Sequence, residues 1–146
     1  MDKDEILDQI EKLRQLDIDA SNAYEQAIKA VEDPEVRSRL NEFQNDHERH
    51  ITDFDKIISD WGGEVSERSP DIKGFVISGF TSIRSMMGTE GALKAMKTNE
   101  QLTNKKYGEA IEQDFPEDVM SLIRNNYQDE QRHLAYIEEQ LSVMAA

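Results

Sequence analysis

Asp129-Glu130-Gln131-Arg132-His133 decides how this chain is read, and Asp46-His47-Glu48-Arg49-His50 repeats it with His in place of Glu at the second position. The two copies share Asp, Arg and His in register, 83 residues apart (133 − 50). On a helix, residues at i and i+3 lie on one face. Glu130 therefore projects with His133, and His47 with His50. Glu-x-x-His on facing helices is a spacing by which helical bundles hold a pair of transition-metal ions. All three histidines of the chain lie inside these two segments.

Outward from these segments the apolar pattern is helical throughout. A first helix opens at Asp2, with Glu5 completing a capping box. Its inward stripe reads Ile6, Ile10, Leu13, Asp17, Ala20, Tyr24, Ala27, Val31. Asp33-Pro34 stops it and starts a second helix, with Asp as N-cap and Pro at the first helical position. The second stripe is Val36, Leu40, Phe43, His47, His50, Phe54, Ile57, Trp61, and Gly62-Gly63 ends that helix. Glu64 to Gly88 is a long connection in which Ser69-Pro70 starts a short helix carrying Phe75, Val76, Phe80, Ile83 and Met87. Thr89 caps a third helix with the stripe Leu93, Met96, Glu100, Thr103, Tyr107, Ala110. Pro116 marks the start of a fourth, with Val119, Ile123, Asn126, Glu130, His133, Ile137, Leu141. Steps of three and four are the period of a bundle-facing helix.

The repeat extends beyond the two histidine segments. At the same offset Asp17 matches Glu100, Tyr24 matches Tyr107, Ala27-Ile28 matches Ala110-Ile111, and Val36 matches Val119. Polar interior positions thus repeat along with apolar ones. Two αα-hairpins joined by a long crossover make a four-helix bundle with pseudo-two-fold symmetry. The expected fold is all-α, an antiparallel four-helix bundle forming one domain over residues 1–146.

Composition narrows the partners. Net charge is −14, from 31 acidic against 17 basic residues, which disfavours nucleic acid and anionic lipid. With no cysteine, thiolate metal sites and disulfides are excluded. Met1-Asp2-Lys3-Asp4-Glu5 is charged with no apolar run behind it, so neither a signal peptide nor a membrane span is expected there. The expected compartment is the cytoplasm.

Asp17, His47, His50, Glu100, Glu130 and His133 all occupy inward positions near the middle of their helices. Burying an unpaired carboxylate costs several kcal/mol, a large fraction of a domain's stability. Such residues must be paired, wet or metal-bound. Two divalent cations would neutralise the carboxylates and take the imidazoles as neutral donors. Asp46, Glu48, Arg49, Asp129 and Arg132 read most simply as a solvated charged face.

With these residues in place, the chain resembles the ferritin-like superfamily, which includes rubrerythrins, bacterioferritins and di-iron carboxylate oxidases. The Asp-Glu-x-Arg-His run at 129–133 resembles a segment of the fourth helix of several di-iron oxygenases. Asp17 and Glu100 each stand seven residues before a Tyr (Tyr24 and Tyr107), as do metal-binding carboxylates in rubrerythrins. Asp-Pro-Glu-Val at 33–36 and Trp-Gly-Gly-Glu at 61–64 are similar to small bacterial ferritin-like proteins of the DUF2383 type. The resemblance implies that His50 and His133 are terminal nitrogen ligands, one per metal. Glu130 would bridge the ions or chelate one, with Glu100 and Asp17 as the remaining carboxylates. It implies that Asp46 and Asp129, each helped by Arg49 or Arg132, accept hydrogen bonds from the imidazoles, and that Tyr24 and Tyr107 donate to ligand carboxylates. Two iron ions are the expected cofactor, with manganese or zinc as alternatives. Oxygen or peroxide is the expected reactant, in a ferroxidase or peroxidase role or simple iron binding under stress. A homo-oligomer, a dimer, is expected.

Two positions depart from that pattern. Asp17 is one methylene shorter than Glu, and His47 removes the second bridging carboxylate. The centre then has three carboxylates rather than four, which favours a weakly held second ion, a mononuclear site or another metal. A metal-free or mononuclear bundle acting as a structural or protein-interaction module is the alternative, with the apolar stretch from Phe75 to Met87 as its surface.

Overall fold

A computed structural model describes residues 1–69 and 88–145. Among these residues there are four helices and no strand: α1 (Lys3–Ala30), α2 (Pro34–Asp60), α3 (Gly88–Ala110) and α4 (Glu117–Ala145). The short helix expected from Ser69-Pro70, with Phe75, Val76, Phe80, Ile83 and Met87, falls outside the described residues. None of the described helices is long and apolar enough to cross a membrane.

The helix ends follow local chemistry. Asp2 accepts from Glu5 N–H at 2.8 Å. Asp33 accepts from the N–H groups of Glu35 and Val36 at 2.9 and 3.2 Å, ahead of Pro34. At the end of α2, Gly62 N–H bonds Ser59 O at 3.0 Å and Gly63 N–H bonds Ile58 O at 2.8 Å. That closure requires the left-handed φ of +79° at Gly62. Gly62→Ala is expected to destabilise the protein by about 1–2 kcal/mol, the penalty for a Cβ in that region, read as a lower urea midpoint. Thr89 sits inside the first turn of α3 rather than ahead of it. Its hydroxyl accepts from Glu32 and Asp33 N–H at 2.9 and 3.2 Å, so it ties the α1–α2 turn to α3.

Every close helix pair is antiparallel. Tyr24 packs on Phe43 while Asp17 meets His47 and His50, so α2 runs against α1. Tyr24 reaches Glu100 and Tyr107 reaches Asp17, so α3 also runs against α1. His50 meets Asp129 and His133 meets Asp46, so α4 runs against α2. It follows that α2 and α3 point the same way, and residues 61–87 join opposite ends of the bundle. Among the described residues the architecture is thus a four-helix bundle of two antiparallel hairpins.

The core has two apolar parts. One holds Tyr24, Leu40, Phe43, Leu93, Met96 and Ile137. The other holds Ile10, Phe54, Ile58, Tyr107, Val119 and Ile123. Each fully buried large side chain contributes about 1.5–3 kcal/mol. Between the two parts lies a polar layer. On α2 the buried position is Ile58, whereas Ile57 and Trp61 of the expected stripe are only half-buried. Arg14, Asp19 and Ser21 are buried on a second face of α1 that the stripe did not include. Residues 64–69 fold over part of this face: Arg14 donates to Ser66 O at 2.7 Å and to Asp55 at 2.5 Å, and Gln15 donates to Ser69 O at 2.8 Å.

Candidate metal centre

The polar layer draws on all four helices. α1 provides Asp17, α2 His47 and His50, α3 Glu100, and α4 Glu130 and His133, none more than 1 % exposed. Their donor atoms form two overlapping groups, Asp17–His47–His50–Glu130 and His47–Glu100–Glu130–His133, each with its atoms within 4.8 Å of one another. The i, i+3 pairs on α2 and α4 point inward because both members fall on the stripe that packs against the other helices.

An outer ring of contacts crosses between hairpins. His50 Nε2–H donates to Asp129 Oδ2 of α4 at 2.8 Å, and His133 Nε2–H donates to Asp46 Oδ2 of α2 at 2.8 Å. Arg132 in turn donates to Asp46 at 2.7 Å, and Arg49 to Asp129. Each bond that turns an imidazole outward at Nε2 leaves its Nδ1 facing the cluster. Asp46 and Asp129 are half-buried rather than solvated, while Glu48 and the Arg49 and Arg132 side chains stay largely exposed. The tyrosines cross as well: Tyr24 donates to Glu100 Oε1, and Tyr107 to Asp17 Oδ2 at 2.5 Å.

Three supporting residues had no role assigned from sequence. Thr103 donates to Glu100 Oε2 at 3.0 Å, and Asn126 to the Tyr107 oxygen at 3.3 Å. Both stood on inward stripes as polar residues, which was the available signal. Asn104 donates to the backbone carbonyls of Glu100 and Glu130 at 2.7 and 3.0 Å, clamping α3 to α4. Nothing in its sequence context marks it.

Electrostatics bind the cluster together. Burial pushes the His47 imidazole toward neutrality, but the Glu130 charge and the bonds to Asp17 and Glu100 raise its pKa to about 9. Burial is likewise outweighed at His50, raised to about 12 by Asp17 and Asp129, and at His133, raised to about 11 by Asp46 and Glu100. Burial alone would raise the Asp17 carboxyl, but His50 and His47 hold it below the usual range. Glu100 is held well below that range by His133 and His47 against the same burial. Burial and the neighbouring carboxylates push both Tyr24 and Tyr107 well above a normal phenol, so each remains a donor.

Within the cluster three buried atoms are left over. Both oxygens of Glu130 and Nδ1 of His133 have no hydrogen-bond partner. Glu130 Oε2 lies 3.5 Å from His133 Nδ1, and Oε1 lies 3.4 and 3.6 Å from Nδ1 of His47 and His50. These spacings exceed ordinary hydrogen bonds. Carboxylate and imidazole donors aimed at a common interior point are what a divalent cation requires.

An antiparallel helical bundle with a buried histidine–carboxylate cluster is thus the class this chain represents. Within it, the chain belongs to the family described as Domain of unknown function (DUF2383), which matches residues 5–113. The match runs from α1 through α3 and ends before α4, the helix that carries Glu130 and His133. No curated protein matches the chain.

Proposed function

We propose that this chain is a non-haem metal-binding protein of ferritin-like type, a single domain over residues 1–146 that holds its metal among Asp17, His47, His50, Glu100, Glu130 and His133. The observation that carries this reading is the unpartnered state of the Glu130 oxygens and His133 Nδ1 in a fully buried layer. A buried carboxylate whose oxygens accept no hydrogen bond is unfavourable even with imidazoles 3.4, 3.5 and 3.6 Å away. A cation satisfies all three atoms together.

Iron(II) suits imidazole and carboxylate donors with open positions, and when bound it supplies electrons to oxygen or peroxide. Ferroxidase or peroxidase-type chemistry, or iron binding under stress, fits that supply. The chain's own residues do the rest. Asp46 and Asp129 fix which imidazole nitrogen faces inward. Tyr24, Tyr107 and Thr103 hold the carboxylates of Glu100 and Asp17. The apolar clusters on either side keep bulk water from the layer.

Protein purified from iron-supplemented cells is expected to carry about one to two ions per chain. The His133→Ala variant should carry far less, as measured by elemental analysis. Equal metal content in wild type, His50→Ala and His133→Ala, with unchanged oxygen-dependent absorbance, would replace this reading with a metal-free bundle acting through its surface.

A further inference from the structure

The two pseudo-equivalent halves of the cluster differ in which atoms are already occupied. His50 and His133 hold matching places in the repeat, and each gives Nε2–H to an aspartate at 2.8 Å. They part at Nδ1. That of His50 lies 3.0 Å from Asp17 Oδ1, whereas that of His133 has no hydrogen-bond partner. Among the carboxylates, Asp17 and its counterpart Glu100 both accept hydrogen bonds, Glu100 from Tyr24 and from Thr103 at 3.0 Å, whereas Glu130, whose counterpart is His47, accepts none. Asp17 Oδ1 also meets His47 Nδ1 at 2.7 Å, and its Oδ2 accepts from Tyr107 at 2.5 Å. Both oxygens of Glu130 are left without a donor. The half around Asp17 is closed by its own hydrogen bonds; the half around Glu130 and His133 is open.

His47 links the two. With Nδ1–H given to Asp17, Nε2 is the nitrogen left for a metal, and it lies 3.4 Å from Glu100 Oε1. Glu100 Oε1 lies 3.3 Å from His133 Nδ1, which lies 3.5 Å from Glu130 Oε2. Metal bonds of about 2.0–2.2 Å place neighbouring donors of a tetrahedron about 3.3–3.5 Å apart. These three spacings match neighbouring donors of one four-coordinate ion, and one ligand atom from each of the four residues lies within 4.8 Å of the others. The 2.7 Å between His47 and Asp17 is a hydrogen bond instead. Charge agrees, since Glu100 and Glu130 together neutralise one divalent cation.

Resting on the metal-binding reading above, we infer that the centre holds one divalent ion tightly, on His47 Nε2, Glu100, Glu130 and His133 Nδ1. Asp17 is then a positioning residue that fixes the His47 tautomer, and His50 lies outside the ligand set. A second ion has to break the bonds from Asp17 to both imidazoles, so it binds much more weakly.

The test is titration of the metal-free full chain with cobalt(II) and zinc(II), followed by visible absorbance and calorimetry. One tight equivalent is expected, with the intense visible band of four-coordinate cobalt(II). His133→Ala should weaken binding more than about 100-fold, Asp17→Asn about 10–100-fold with one equivalent and the band retained, and His50→Ala less than about tenfold. Circular dichroism checks that each variant is helical; should one not fold, the wild-type stoichiometry and cobalt spectrum still decide. Two equivalents of similar affinity, a six-coordinate cobalt spectrum, or His50→Ala as damaging as His133→Ala would overturn the inference and leave the metal reading standing. No binding by wild type would remove both.

Discussion

His47→Glu is expected to convert the centre into one that takes two divalent ions per chain. Position 47 corresponds in the repeat to Glu130, so the substitution completes a second Glu-x-x-His with His50 on α2. It also removes the Nδ1–H that occupies Asp17 Oδ1 at 2.7 Å, which frees that oxygen for a metal. Four carboxylates then face two divalent ions, a balanced charge and the ligand count of di-iron bundles. Without metal the same substitution adds a buried negative charge and withdraws an imidazole, which costs several kcal/mol. Metal should therefore raise the melting temperature of His47→Glu far more than that of wild type, because ligand that binds only the folded state adds its binding free energy to stability. The second equivalent is expected to bind at least about tenfold tighter than in wild type, or ~1.4 kcal/mol. Iron uptake no greater than wild type would mean that position 47 does not face the metal.

The sequence was legible where periodicity alone decides facing. All six chemical residues sit on three–four stripes, and such stripes turn inward whatever the helices pack against. The capping of α1 and α2 and the stop at Gly62 are equally local, needing only side chains within a few residues. What escaped depends on contacts distant in sequence. Arg14 is only 3 % exposed because Ser66 and Asp55 come to it, which no feature of α1 foretells. Asp46 and Asp129 were expected on a solvated face by pattern alone; they are half-buried because each reaches the histidine of the opposite hairpin. The difference between the two halves was invisible for a deeper reason. The repeat equates His50 with His133, and only the position of Asp17, one methylene shorter than Glu, leaves one Nδ1 occupied and the other bare.

The metal-free protein is expected to lose stability steeply as pH rises above neutrality, and bound metal should lessen the loss. The folded protein raises the pKa of His47 to about 9, of His133 to about 11 and of His50 to about 12. An unfolded chain releases the same protons near pH 6.5, roughly the ordinary imidazole value. Below that pH both states hold them and the stabilisation is fully present. Above it the native state binds more protons than the unfolded one, and each proton of difference removes about 1.4 kcal/mol per pH unit. The loss continues as pH rises through about 9, where His47 begins to release its own proton in the folded state. The carboxyl groups of Asp17, Glu100, Asp46 and Asp129 are shifted downward, so their contribution is present above roughly pH 4 and fades below it. Greatest stability of the metal-free form therefore falls between about pH 4 and 6.5. A metal ion takes the place of the protons on its imidazole ligands, which removes their part of the native-state proton excess and flattens the alkaline limb. Urea midpoints at pH 6, 7, 8 and 9 with chelator, beside the metal-loaded protein, measure this directly. A flat profile in chelator would mean that the imidazoles are neutral in the folded protein, and that something other than their charge balances Asp17, Glu100 and Glu130.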